Sequence, residues 1–217
     1  MSRLVDAVVE QAGLRPDAVE GADLVFGTGA VRHVLSLGLD KHDRFAFGWT
    51  VRALDTELSP VLAGFGGIGV EIWRPDRSPL GGYSYPVPAA RQPLDAATLA
   101  DLVEYAPAAV GFVQDRADLG GILLADGDVH RGPVWAALPP NTAAARLAKA
   151  VILARSAGDG PLEEQALRML AEQGDRDITW VPGEPYLFRD AVGDWARKYA
   201  KVVGVDLSDL TRKRRRR

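Results

Sequence analysis

The chain has no cysteine. That excludes disulfides, thiolate metal sites and a cysteine nucleophile. Histidine is scarce as well: His33, His42 and His130 are the whole set. His42 lies between Asp40 and Asp43, and His130 follows Asp128. Imidazole and carboxylate are suitable zinc or manganese ligands, but no spacing here matches a ligand box such as HExxH. No metal and no cofactor is expected. The chain also lacks a GxxxxGK stretch, which excludes a P-loop. It lacks any run of about 18 apolar residues, so no membrane-spanning helix is expected. The N-terminus has no basic-then-apolar layout, so a signal peptide is not expected and a cytoplasmic location is the default. Lysine is rare, at five of 26 basic residues, a bias expected of a GC-rich bacterial genome.

What is present is the profile of an ordinary globular protein. The 217 residues are 47% hydrophobic and 25% charged, enough for one good core. Charge is placed unevenly. The net charge is −3, yet Arg212, Lys213, Arg214, Arg215, Arg216 and Arg217 are all cationic, which leaves −9 on the rest. An acidic body is a poor nucleic-acid surface, so polyanion binding is expected to concentrate in the tail. A row of like charges is expected to be disordered when free.

Periodicity supplies the elements. Leu4, Val5, Val8, Val9 and Ala12 predict a first helix that ends at Gly13, with Pro16 opening a further helical turn. Asp23 to Phe26 reads as a short strand and Gly27-Thr28-Gly29 as a turn. Val31, Val34, Leu35 and Leu39 give residues 30–39 a helical stripe. Phe45, Phe47, Trp49 and Val51 alternate as a strand does. Residues 61–73 read as its partner, where glycines 64, 66, 67 and 69 point to a bulge or a close backbone approach. Residues 74–93 hold five prolines and read as a domain linker or an ordered loop, with Tyr83 and Tyr85 as candidate partner contacts.

Asp95 predicts the cap of a helix carrying Leu99, Leu102, Val103 and Ala106. "AVGFV" at 109–113 reads as a strand. Asp126-Gly127 reads as a type I′ hairpin turn between apolar strands. Helices are then predicted from Asn141 or Thr142 to Gly158, from Pro161 to Gly174, and from Asp190 to Val203, with a short strand "DITWV" between the last two. The fold class expected is α+β, with an antiparallel or mixed sheet and about five helices. The expected layout is one compact domain over 1–206, with a possible break in 74–93, and a basic tail over 207–217.

Candidate sites follow from these elements. Gly27, Thr28, Gly29 and Arg32 form a glycine turn before a predicted helix, a place where free N–H groups and the helix dipole hold a phosphate or carboxylate. The pattern reads GxGxxR, short of a full dinucleotide fingerprint. Ser156 resembles a nucleophile elbow only superficially, because it sits at the end of a predicted helix. Glu163 and Glu164 fall in the first turn of a helix, where the dipole favours acids without any catalytic role.

The tail is a phosphate binder by charge alone. The leading expectation is therefore a non-catalytic binding or adaptor protein. It acts through protein contacts, and the tail tethers it to nucleic acid or another polyanion. The alternatives are an enzyme or ligand-binding domain using the Gly27–Arg32 turn, and a structural subunit of a phage or secretion assembly.

Overall fold

A computed structural model describes residues 1–74, 85–89, 92–179 and 185–211. In chain order the elements are α1 (Ser2–Gln11), β1 (Ala18–Glu20), β2 (Asp23–Phe26), β3 (Val31–Leu39), β4 (Ala46–Asp55), α2 (Leu58–Val61), β5 (Gly69–Trp73) and β6 (Tyr85–Pro86). These are followed by α3 (Ala96–Val110), α4 (Arg116–Leu123), β7 (Val129–Arg131), β8 (Val134–Ala136), α5 (Ala143–Ala157), α6 (Gly160–Gln173) and α7 (Phe188–Tyr199). The fold is α+β, and among the described residues every strand pair is antiparallel. The chain divides into two compact units. The first is Met1–Thr56, Gly69–Asp115 and Asp128–Ala137; the second is Glu57–Ile68, Arg116–Gly127 and Leu138–Arg217.

The first unit holds the whole sheet, in the order β1-β2-β3-β4-β5-β8-β7, with β6 also pairing to β4. Its centre is β4. Phe47, Trp49, Val51, Ala53 and Asp55 are buried, while Thr50 and Arg52 between them are exposed. This period of two builds one covered face and one open face. Helix α3 packs on β3, β4 and β8, and α1 packs on α3. Asp95 caps α3 by accepting from the N–H groups of Ala97 and Thr98, as expected. Gly13 ends α1 in the left-handed region at φ +65°, also as expected.

Residues 31–39 form a strand and not a helix. Val31, His33, Leu35 and Leu37 are all buried on the covered face, opposite Asp55, Ala53, Val51 and Trp49 of β4. A polar histidine at one of these positions hides the alternation, and Val34, buried from the other side, completes a false helical stripe. Pairing with β2 and β4 on both edges decides the matter. Residues 14–17 carry no helical turn after α1, and 109–113 are the end of α3 and its exit, not a strand.

The hairpin also lies elsewhere. Val129 opposes Ala136 and Arg131 opposes Val134, so the turn is Gly132-Pro133, with Gly132 at φ +58°. Positive φ at the first central residue is what a two-residue hairpin needs. Asp126-Gly127 is a bend after α4. Of residues 61–73 only Gly69–Trp73 is strand; a 3-10 turn over Ala63–Phe65 precedes it. At Gly69 the close approach is real. A Cβ there would lie 2.2 Å from the Ala53 carbonyl oxygen and 2.5 Å from Leu54 Cδ2.

The second unit is helical. Helix α5 is its buried axis and packs against α4, α6 and α7. Gly158 stops α5 at φ +67°, and Asp159 caps α6 through the N–H of Leu162. Gly120 lets α4 close on α6, because a Cβ there would meet Leu162 at 2.3 Å. Arg146, buried on α5, donates to the carbonyls of Leu123 and Ala125 and so satisfies acceptors at the C-terminal end of α4. "DITWV" contributes only an isolated bridge from Asp177 to Leu187 among its described residues.

We expect Gly69→Ala to destabilise the sheet unit by about 1–3 kcal/mol, the range for overpacking. Gly38→Ala in β3, with open space at its Cβ, is the control and shifts stability by less than about 0.5 kcal/mol. Urea unfolding of both variants checks this, and equal midpoints would remove the close-approach account.

Candidate functional site

The Gly27 turn joins two antiparallel strands, so no helix N-terminus points at it. Thr28 and Gly29 are exposed. The one N–H that the turn fixes is already used: Gly27 donates to the Asp17 carboxylate at 2.6 Å. Asp17 thus fills the position where an external anion was expected. Arg32 lies on β3 opposite Leu54, and its side chain is half-buried against the sheet. The expected phosphate or carboxylate cradle loses the helix dipole on which it rested.

The three histidines do not converge. His33 is buried on the covered sheet face, where its Nε2 accepts the Val113 N–H at 3.2 Å. His42 sits in the exposed β3–β4 loop, whose turn is fixed by the Asp40 carboxylate accepting the N–H groups of His42 and Asp43. His130 lies on β7 and stacks on Trp135 at 5.7 Å, and Trp135 meets Trp73 edge-on at 6.4 Å. These three rings are direct cross-strand neighbours on β7, β8 and β5, the arrangement that stabilises a sheet. Among the described residues no three His, Asp or Glu side chains are grouped to hold a metal ion.

Tyr83 lies outside the described residues. Tyr85 is buried and serves the interior. Its ring packs on Phe47 at 5.6 Å, and its hydroxyl donates to Asp101 of α3 at 2.6 Å. Arg74, also buried, lies over the Trp49 ring at 4.0 Å and near the Tyr85 ring at 5.4 Å. Tyr85 presents no surface to a partner. What the sheet unit does present is a groove of about 710 Å³ between α1 and residues 87–89 and 92–93. Leu4, Ala7, Leu39, Val87 and Pro93 line it with apolar surface, and Arg3, Asp6 and Glu10 add charge. Met1 and Leu39 at this groove are half-exposed.

In the second unit Arg155 gathers the chain's C-terminal segment. Its Nε donates to Glu163 at 2.8 Å, and its Nη atoms donate to both oxygens of Asp209 and to the Asp206 carbonyl. The Arg155 hydrogen bonds hold the Asp209 carboxyl below its ordinary range, despite some desolvation. Leu207 and Leu210 are buried, so packed chain extends into the segment assigned by charge to the tail. Ser156 follows Arg155 within α5 and is exposed, which is not elbow geometry. Glu164 pairs with Arg168 across one helical turn at 2.7 Å. Lys149 is partly buried, and its ammonium donates to the Phe65 carbonyl at 3.0 Å; desolvation lowers its pKa.

Local sequence carries no sign of the Arg155 clasp, because its partner Asp209 is 54 residues away. The cations of α7 were visible only as dipole partners. Residues 212–217 lie outside the described residues. Comparison with family models, with curated proteins and with solved structures finds no match.

His33 carries a pH prediction. Desolvation pushes its pKa down to about 4 from 6.5. Between these values the unfolded chain binds the proton that the folded chain refuses, so stability falls as pH drops from about 6.5 to about 4. The loss is up to about 3 kcal/mol across that window. His33→Leu should flatten this part of the profile, at a lower plateau because the Val113 N–H loses its acceptor. Denaturant midpoints measured every half unit would show it, and an unchanged slope would discard the role of His33.

Proposed function

We propose that the protein works by binding and not by catalysis. A protein partner occupies the groove of the sheet unit, and the basic C-terminal residues add contact with nucleic acid or another polyanion. The observation that carries this reading is the groove itself. It joins half-exposed Met1 and Leu39 to Val87, Pro88 and Pro93. An apolar floor with a charged rim is the composition of a recognition surface. His33, Glu163 and Glu164 are engaged structurally, by Val113, Arg155 and Arg168 in turn. The tail reading rests on the six cations of Arg212–Arg217 in a chain whose remainder carries −9.

Leu39→Glu tests the groove. The side chain is half-exposed, so folding is retained, and a partner recovered by the unaltered chain from its native host should be lost. Equal recovery of the same partner by both would argue against the groove. For the tail, a full-length variant with six glutamines at 212–217 should bind a labelled duplex more weakly at low salt, with a log–log salt slope shallower by about 5. Identical anisotropy titrations would end the polyanion reading.

A further inference from the structure

We propose that the partner in the groove is a second copy of this chain, and that the two copies pair through antiparallel α1 helices about a twofold axis. This rests on the groove reading above and names the occupant.

The charges of α1 point to that partner. Arg3 stands in the first turn of Ser2–Gln11 and Glu10 in the last, and both are exposed. The helix dipole favours acids at the N-terminal end and cations at the C-terminal end, so both charges have the wrong sign for a lone helix. The N-terminal end also has no side-chain cap. Asp6 and Glu10 are four residues apart, a spacing at which like charges repel. Among the described residues the side chains of Arg3, Asp6 and Glu10 have no hydrogen-bond or ion-pair partner.

An antiparallel copy of α1 reverses these terms. Arg3, Ala7 and Glu10 follow the i, i+4, i+7 line of one helix face. A twofold axis midway between Arg3 and Glu10 sets each Arg3 against the Glu10 of the other copy, one turn from Asp6. Each N-terminal pole then meets a C-terminal pole. Ala7, next to the axis, leaves room for the helices to approach. A surface that fits itself about a twofold closes as a dimer and does not extend into a filament.

The groove supplies the apolar part of the contact. Arg3, Ala7 and Glu10 all line it, so this face of α1 is one of its walls. Met1 and Leu39, also in the lining, are 50% and 51% exposed. Phe45 is 65% exposed, and its carbonyl accepts the N–H of Val87 in the other wall at 2.7 Å. These are three of the eight large apolar side chains that are exposed among the described residues. Single exposed apolar residues need no explanation, but a group of them at one groove marks a macromolecular contact. The mixed charges then choose the macromolecule. Asp6 and Glu10 repel a nucleic acid or an anionic lipid, whereas a second copy brings its own Arg3 to meet them.

The test is sedimentation of the full-length chain between about 1 and 100 μM, which should show a monomer–dimer equilibrium. Arg3→Glu and Glu10→Arg, each alone, set like charges against each other twice per dimer. Each should weaken self-association by about 10- to 100-fold. An equimolar mixture of the two variants restores both opposite-charge pairs, as does the double variant Arg3→Glu/Glu10→Arg, and both should regain the original affinity. Recovery in the mixture cannot come from misfolding of either variant, and circular dichroism should be the same for all. A monomer at every concentration would overturn the second copy as occupant; a host partner still lost on Leu39→Glu would then keep the groove reading, and its equal recovery would sink both. A dimer indifferent to Leu39→Glu and to the charge variants lies on another surface, and the proposal fails. If Leu39→Glu abolishes the dimer while the charge variants leave it unchanged, the groove holds and the antiparallel α1 pairing is overturned.

Discussion

The nine-residue ladder between β3 and β4 is the constraint on which the sheet unit depends. It fixes Leu35 opposite Val51 and Leu37 opposite Trp49, and from this register every other strand takes its place. β2 adds to the free edge of β3; β5 and β6 share the other edge of β4. Slipping the ladder by one residue would turn Phe47, Trp49 and Val51 to solvent and Thr50 and Arg52 into the core. Helix α3 covers the face that this register makes apolar. His33 is buried because it falls in that register, and the Val113 N–H satisfies the acceptor nitrogen of its neutral imidazole.

The helical unit is organised by three cations of α5 instead. Arg146 closes the end of α4, Lys149 holds a carbonyl beneath Tyr199, and Arg155 ties the C-terminal segment to the end of α5. Each sits on α5; Arg146 and Lys149 donate to part-buried or buried carbonyls, and Arg155 to acceptors at the surface. The clasp holds the chain up to Thr211, which lies against Gly193 on the side of α7.

Where sequence reasoning succeeded, the signal was local. Asp95 before α3, Gly13 after α1, Gly158 after α5, and the Glu164–Arg168 pair are each decided within one helical turn. The alternation of β4 and the close approach at Gly69 were also legible. Where it failed, a local signal had two meanings. Residues 31–39 fit a helical stripe and a strand equally while their partners are unknown. Asp126-Gly127 is a strong turn pair, yet the glycine that the hairpin uses is Gly132. Of the site residues, the Gly27 turn was placed correctly, but its chemistry changed once β3 followed it. Tyr85 was read as a surface contact and is a core residue bound to Asp101.

The sequence by itself determined the composition limits, the helix ends and the separation of charge between body and tail. These depend on residue identity and on neighbours a few positions away. Only the tertiary structure decided which strands pair, which polar groups are buried, and where the C-terminal segment is fastened. Those outcomes come from contacts between residues tens of positions apart, such as Arg155 with Asp209 and His33 with Val113. Their free energy exists only once the chain has folded, so no window of sequence displays them.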